Sequence, residues 1–319
     1  MKAQALFDSA LKDAMKADFR GEKALQRKLD REKKKYTKLD KTEKKFFDTS
    51  VLKNPYHDSG VHYVSKKNPE VKRILTGIDM GVGEVLLADR LTQKGKKIDL
   101  IVGHHPLGAA FADLVNVMDM LEELYHSFGV PIHIAENLMQ ERRVEVSRSV
   151  HPLNHMQSVD AAKLLDISII NTHTISDNLA WRYVQDIMNK KKPETLGEVL
   201  ELLKKIPEYQ IAMKNGASPK IIAGNPENTA GKVLVDMTGG TNPHEDIYEQ
   251  LSRYGVSTIV GMHYREPTIK KIKKHKLNLI IAGHYASDSL GMNLMLDTFE
   301  KKGVEIVPCS GLLRVSRGK

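Results

Sequence analysis

Cysteine is almost missing from this chain of 319 residues: Cys309 stands alone. Neither an internal disulfide framework nor a thiolate zinc cage is therefore open to it. No apolar run approaches the ~20 residues that a bilayer-spanning helix needs. The opening residues, Met-Lys-Ala-Gln-Ala-Leu-Phe-Asp, lack the apolar centre of a secretory signal. Short-period repeats and low-complexity tracts are missing as well. These absences predict a cytoplasmic globular protein, and an apolar content of 41% with 28% charged residues agrees. The length allows one large or two moderate domains.

What is present first is positive charge, a formal +9, and it is unevenly spread. Residues 1–50 hold 15 Lys and Arg against 9 Asp and Glu, so the rest of the chain is only weakly basic. Few aromatics stand among these charges, and the densest basic run is Arg31-Glu-Lys-Lys-Lys-Tyr. A solvated helical face is the preferred reading over a nucleic-acid patch. Phe7, Leu11, Met15 and Phe19 recur every fourth residue, which predicts helix through 3–45 with a break at Gly21. This segment is expected to pack on the main body or on a neighbouring subunit.

From about Lys72 onward, apolar runs of strand length alternate with amphipathic segments. Strands are predicted at 74–79, 99–102, 131–135, 167–171, 220–223, 232–237, 256–260, 277–282 and 304–308. Helices are predicted at 111–128, with Leu114, Met118, Leu121 and Tyr125 on one face, and at 178–189, with Trp181, Val184 and Met188. A third, at 287–302, opens on Ser287 as a cap and closes at Gly303. The expected fold is α/β: two similar lobes with mixed, largely parallel sheets flanked by helices, plus an N-terminal helical extension. The expected division is a basic helical extension at 1–50, a first lobe at 52–190, a helical linker at 191–214 and a second lobe at 215–319.

Two of the apolar runs end in histidine. Asp99-Leu-Ile-Val-Gly-His-His-Pro reaches His104 and His105, and Leu277-Asn-Leu-Ile-Ile-Ala-Gly-His reaches His284. Buried parallel strands look like these runs, and α/β proteins place ligands beyond the carboxyl ends of such strands. Pro106 biases His105 away from helix and lets the adjacent pair splay around one centre. The competing reading makes one of the two a core histidine bonded to a carbonyl. In Asn171-Thr-His-Thr-Ile-Ser-Asp-Asn, His173 and Asp177 are four apart, so Asp177 is either a ligand or the N-cap of the Trp181 helix. Gly283-His-Tyr-Ala-Ser-Asp-Ser repeats the spacing with His284 and Asp288. Four imidazoles and two carboxylates at three strand-to-helix junctions suit a pair of divalent ions. Mixed N/O donors without thiolate favour Zn, Mn, Fe, Co or Ni over Mg or Ca. His263 follows another strand and is a candidate pocket residue. The loop Thr238-Gly239-Gly240-Thr241 is either a plain tight turn or a phosphate-binding wall of the same pocket.

With these residues in hand, the chain resembles the Nif-three-like family, known as type-2 GTP cyclohydrolase I homologues, over roughly residues 53–319. The resemblance rests on Ile74-Leu-Thr-Gly-Ile-Asp, Asp99-Leu-Ile-Val-Gly-His-His-Pro-Leu, His173-x3-Asp177, the 238–241 glycine loop and Gly283-His-Tyr-Ala-Ser-Asp. It implies two α/β lobes facing each other across a cleft, a dinuclear metal centre and a toroidal homohexamer. It implies His104, His105, Asp177 and His284 as metal ligands, and His173 as a ligand or a nearby base. The family usually carries Glu where this chain has Asp288. The span from His105 to His173 is longer than usual, with extra material near 132–166, and the N-terminal helices have no counterpart in the family.

The function expected from these readings is a dinuclear metal-dependent hydrolase, of cyclohydrolase or phosphoesterase type. It would act on a nucleotide-like or phosphorylated small molecule through a metal-bound hydroxide. Asp177 and Asp288 would hold the ions with the histidines, and His173 would serve as ligand or proton shuttle. Thr238, Gly239, Gly240 and His263 would form the substrate pocket. Nothing in these residues selects guanine, so cyclohydrolase activity comes from the resemblance alone. The alternative is a non-enzymatic metal-binding scaffold or regulatory protein that acts through protein partners. Expected partners are a small molecule and further copies of the chain, with neither membrane nor nucleic acid.

Overall fold

The structure, a computed structural model, describes residues 1–318. Gly21 breaks the N-terminal helical pattern as its type predicts: its φ of +77° lies where a side chain is disfavoured. It separates α1 (Ala3–Ala17) from α2 (Glu22–Lys38), and a single turn, α3 (Glu43–Phe46), follows. Strands and helices then alternate: β1 (Ser59–Tyr63), β2 (Arg73–Gly77), α4 (Val82–Gln93) and β3 (Leu100–Gly103). Next come α5 (Gly108–Ala112), α6 (Asp119–Ser127), α7 (Ile132–Val150) and α8 (Gln157–Leu164). The strand β4 (Ser168–Thr172) runs straight into the long α9 (His173–Lys191), and α10 (Leu196–Lys204) and α11 (Pro207–Lys214) follow. The remainder is β5 (Lys220–Ala223), β6 (Lys232–Asp236), α12 (Ile247–Arg253), β7 (Val256–Gly261), α13 (Glu266–Lys274), β8 (Asn278–Ile281), α14 (His284–Glu300) and β9 (Glu305–Pro308).

The strands form two mixed sheets, ordered β1-β4-β3-β2-β9 and β5-β8-β7-β6. In each, one edge strand is antiparallel, β1 to β4 and β5 to β8, and all other neighbours are parallel. Reading inward from that edge, β4, β3 and β2 match β8, β7 and β6, so the two halves repeat one topology. Leu100, Ile101 and Val102 of β3 are fully buried, as are Leu279 and Ile280 of β8, which fits strands covered on both faces. The helices that leave the matching strands β4 and β8 are α9 and α14, and they pack against each other. Their approach is close because residue 291 is glycine: a Cβ there would overlap the carbonyl group of Ser176. Helix α1 lays Leu6, Phe7, Ala10, Leu11 and Ala14 against α9 and β4. It therefore packs on the main body of its own chain.

Four expectations from the sequence change. Residues 131–135, read as a strand, open α7, because buried Ala135, Met139, Val146 and Val150 recur at helical spacing. Residues 111–128 are the end of α5, a 3-10 turn at Leu114–Val117 and α6. Val117 lies under Gly240 and Leu121 under Gly239. Residues 304–308, expected with the second lobe, form β9 and pair parallel with β2, Ile74 opposite Ile306. This covers an edge that would otherwise expose unpaired backbone groups. Finally, α9 and α14 begin at His173 and His284, earlier than the expected starts near 178 and 287.

Replacing Gly291 by Ala is expected to force α9 and α14 apart and to lower stability by about 1–3 kcal/mol in urea unfolding. A variant as stable as the parent chain would show that the close contact is dispensable.

Candidate metal centre

The carboxyl ends of β3, β4 and β8 converge on one point between the sheets. After Gly103 the chain turns so that the amides of His104 and His105 donate to the carbonyl oxygens of Gly77 and Ile78, each at 3.0 Å. Helix α9 starts on His173 and presents Asp177 one turn later, and α14 starts on His284 and presents Asp288 likewise. Asp177 thus sits inside a helix, which rules out its reading as an N-cap. The six side chains form three overlapping donor groups: His104, His105 and His173; His105, His284 and Asp288; His104, Asp177 and Asp288. Within each group the donor atoms lie within 4.8 Å of one another.

The spacing is that of ligands rather than of hydrogen-bonded partners. Nε2 of His104 is 3.6 Å from Asp177 Oδ1 and 3.5 Å from Asp288 Oδ1. Nε2 of His105 and of His284 are 3.7 and 3.5 Å from Asp288 Oδ2, and Nε2 of His173 is 3.8 Å from Asp177 Oδ2. All exceed hydrogen-bond length. Two ligands each ~2.1 Å from one cation at a tetrahedral angle are about 3.4 Å apart, so a cation fits between them. Accordingly His104 Nε2, Asp177 Oδ1 and both carboxylate oxygens of Asp288 are buried with no hydrogen-bond partner. Leaving such groups unpaired costs free energy that a bound cation would recover.

The far nitrogen of three imidazoles is fixed. His173 Nδ1 donates to Asp58 Oδ2 at 2.7 Å, and His105 Nδ1 to Asp79 Oδ1 at 2.7 Å. The Ser176 hydroxyl gives its proton to the carbonyl oxygen of Thr172, so its oxygen accepts from His104 Nδ1 at 2.9 Å. Each contact holds the proton on Nδ1 and turns the Nε2 lone pair inward, the usual support for a metal-binding imidazole. Burial pushes His104 down to about 4, so its lone pair is free of a proton at neutral pH. Burial also raises Asp177, despite the opposing pull of His173.

A cavity of about 390 Å³ opens over the cluster. Of the sequence-predicted pocket residues, Thr238, Gly240 and His263 line it, and the His263 ring lies 4.3 Å from that of His284. Gly239 instead rests on Leu121, and the Thr238 hydroxyl is committed to Asn178 Oδ1 at 2.6 Å. Both glycines have φ between +80° and +95°, at +91° and +83°, so the loop requires them. Arg142 of α7 braces the next residue, donating to the Asn242 carbonyl oxygen at 3.0 Å.

Sequence reasoning missed Asp58, Asp79, Ser176 and Asp236. Asp79 and Asp236 stand at or just past the ends of β2 and β6, so the strand-end signal that found the histidines also marks them. Asp58 and Ser176 carry no such signal. Asp236 lines the cavity, accepts from the Tyr264 hydroxyl at 2.6 Å, and is pushed up to about 6 by burial.

The solved structure of a NIF3 superfamily protein from Sphaerobacter thermophilus aligns with a TM-score of 0.73 at 27% identity, over 82% of this chain and 94% of that one. Reduced HcgD from Methanocaldococcus jannaschii shares the fold, with a TM-score of 0.50 at 13% identity over 84% of this chain and 94% of that one. No protein-family model and no curated protein matches the chain.

A pH dependence follows from His173. Burial disfavours its charge, but Asp177 and Asp58 outweigh that and raise it to about 9. A cation takes Nε2 only when this proton leaves, so a raised pKa makes the proton a competitor. Zinc affinity is expected to climb about tenfold per pH unit from neutrality and to level off above about 9. Titration calorimetry in buffers of different ionisation enthalpy measures the displaced proton, and an affinity flat across that range would exclude His173 as a ligand.

Proposed function

The chain belongs to the Nif-three-like family, and from that premise we propose a metal-dependent hydrolase with two divalent transition-metal ions held between its sheets. Its proposed substrate is a nucleotide-like or otherwise phosphorylated small molecule. The observation that carries this reading is the set of unpartnered His and Asp donor atoms at the base of a cavity walled by the 238–241 loop. Assembly as a homohexamer belongs to the same proposal and comes from the family.

His104, His105, His173, Asp177, His284 and Asp288 would hold the ions. Ions bound there supply Lewis acidity toward a phosphoryl or carbonyl oxygen and make water acidic enough to attack near neutral pH. Asp58, Asp79 and Ser176 keep three imidazoles from rotating, so the donor set needs little rearrangement. Thr238, Gly240 and Thr241 line the cavity beside the donor set, and the main chain of this turn is the wall proposed to meet the oxygen atoms of a phosphate. Asp236, raised to about 6 and outside the donor set, is suited to hold a proton on its carboxyl and release it to a leaving group.

Protein purified without chelator is expected to carry up to two transition-metal ions per chain by elemental analysis. A panel of nucleoside triphosphates, phosphomonoesters and phosphodiesters is expected to reveal turnover. His105→Ala and Asp177→Ala should each abolish it with an unchanged circular dichroism spectrum, and Asp236→Asn should lower kcat about 10²-fold or more with metal content intact. Metal stoichiometry near zero after reconstitution with Zn or Mn would sink the reading. Full loading without turnover of any panel member would leave a metal-binding protein and remove the hydrolase.

A further inference from the structure

Helix α2 carries eight Lys and Arg against three acidic residues, and the structure sorts them into two classes. Lys28, Lys33 and Lys35 are paired, with Asp119, Asp30 and Glu32. Lys23, Arg27, Arg31, Lys34 and Lys38 are exposed and make no ion pair among the described residues. At 3.6 residues per turn those five fall within a sector of about 80°, directly opposite the buried Leu25 and Leu29. They form one ridge about 22 Å long, each cation three or four residues from the next. Like charges at that spacing destabilise a helix. The same helix places acids beside its other lysines, so the bare ridge is a property of this one face.

We propose that this ridge binds the backbone of a single-stranded nucleic acid. A line of cations one side chain wide matches a linear polyanion better than a plane of charge. The apolar face of α2 is already buried by Leu25 and Leu29, so the helix has none left to insert into a bilayer. Sequence reading favoured a solvated face because composition shows how many charges there are but not that the unpaired ones share a side.

Fluorescence anisotropy of a labelled oligo(dT) of about 20 nucleotides tests this with the full chain. Binding is expected to weaken between about 50 and about 200 mM salt, with a log–log slope of about −3 to −4 for five phosphate contacts. Replacing Lys23, Arg27, Arg31, Lys34 and Lys38 together by Gln should cost at least about tenfold in affinity and bring the slope toward zero. Replacing the paired Lys33 and Lys35 by Gln should cost about threefold at most. Circular dichroism and metal content should stay those of the parent chain throughout. No salt-dependent binding by the full chain, an equal loss in the paired-lysine variant, or binding to phosphatidylserine vesicles but not to oligo(dT) each overturns the proposal.

Discussion

Two carboxylates buried side by side without hydrogen-bond donors constrain everything around them. Asp177 and Asp288 are almost wholly shielded from water, and three of their four oxygens find no partner in the protein. Holding charge in that state costs several kcal/mol per ion unless a counter-charge sits between them. The imidazoles supply part of it: His173 is held protonated in the metal-free state by Asp177 and Asp58, while His104 is too deeply buried to take a proton. The rest of the deficit is one that a cation could fill. Strand ends, helix starts and the anchors on Nδ1 all serve to keep these donors in place despite that cost.

The two sheets explain how one polypeptide delivers such a set. Because β4-β3-β2 and β8-β7-β6 repeat one topology, a His-x3-Asp element at the start of α9 has its counterpart at the start of α14. Packing α9 on α14 brings Asp177 and Asp288 together without a long loop, and helix starts are stiffer mounts than loops. The repetition is incomplete in one respect. His104 and His105 follow β3, whereas Met262 and His263 follow the matching β7; both line the cavity, but of the two only His263, next to His284, carries an imidazole. The centre therefore leans toward the first sheet.

That pattern accounts for what could be read from the sequence. A glycine and a histidine at the end of an apolar run mark a position in the donor cluster because β3 and β8 are buried and their ends meet between the sheets; the order of the chain alone carries that information. The groups that orient the ligands are another matter. Asp58 reaches His173 from 115 positions away and Ser176, on α9, reaches His104 from 72, and neither spacing announces the partner. The return of β9 to β2 was equally silent, since a strand's partner depends on which edge is open, not on its own residues. At 131–135, Pro131 and a short apolar run imitate a strand start, and only the buried positions farther along α7 decide the matter.

Asp288, where the resemblance to the family implies Glu, sits in the same packing. A carboxylate on a short arm would reach a cation between the sheets only from a helix that stands close. Gly291, three residues farther along α14, permits that approach, because its missing Cβ is where the carbonyl group of Ser176 lies. Ser176 is itself the anchor of His104 and the neighbour of Asp177, so the contact that draws the helices together also sets two of the donors. Arm length and helix separation are then one variable seen from two sides. Lengthening the arm at 288 without loosening the contact at 291 would drive a carboxylate into the His104 ring, whose nearest ring nitrogen is already 3.5 Å from Asp288.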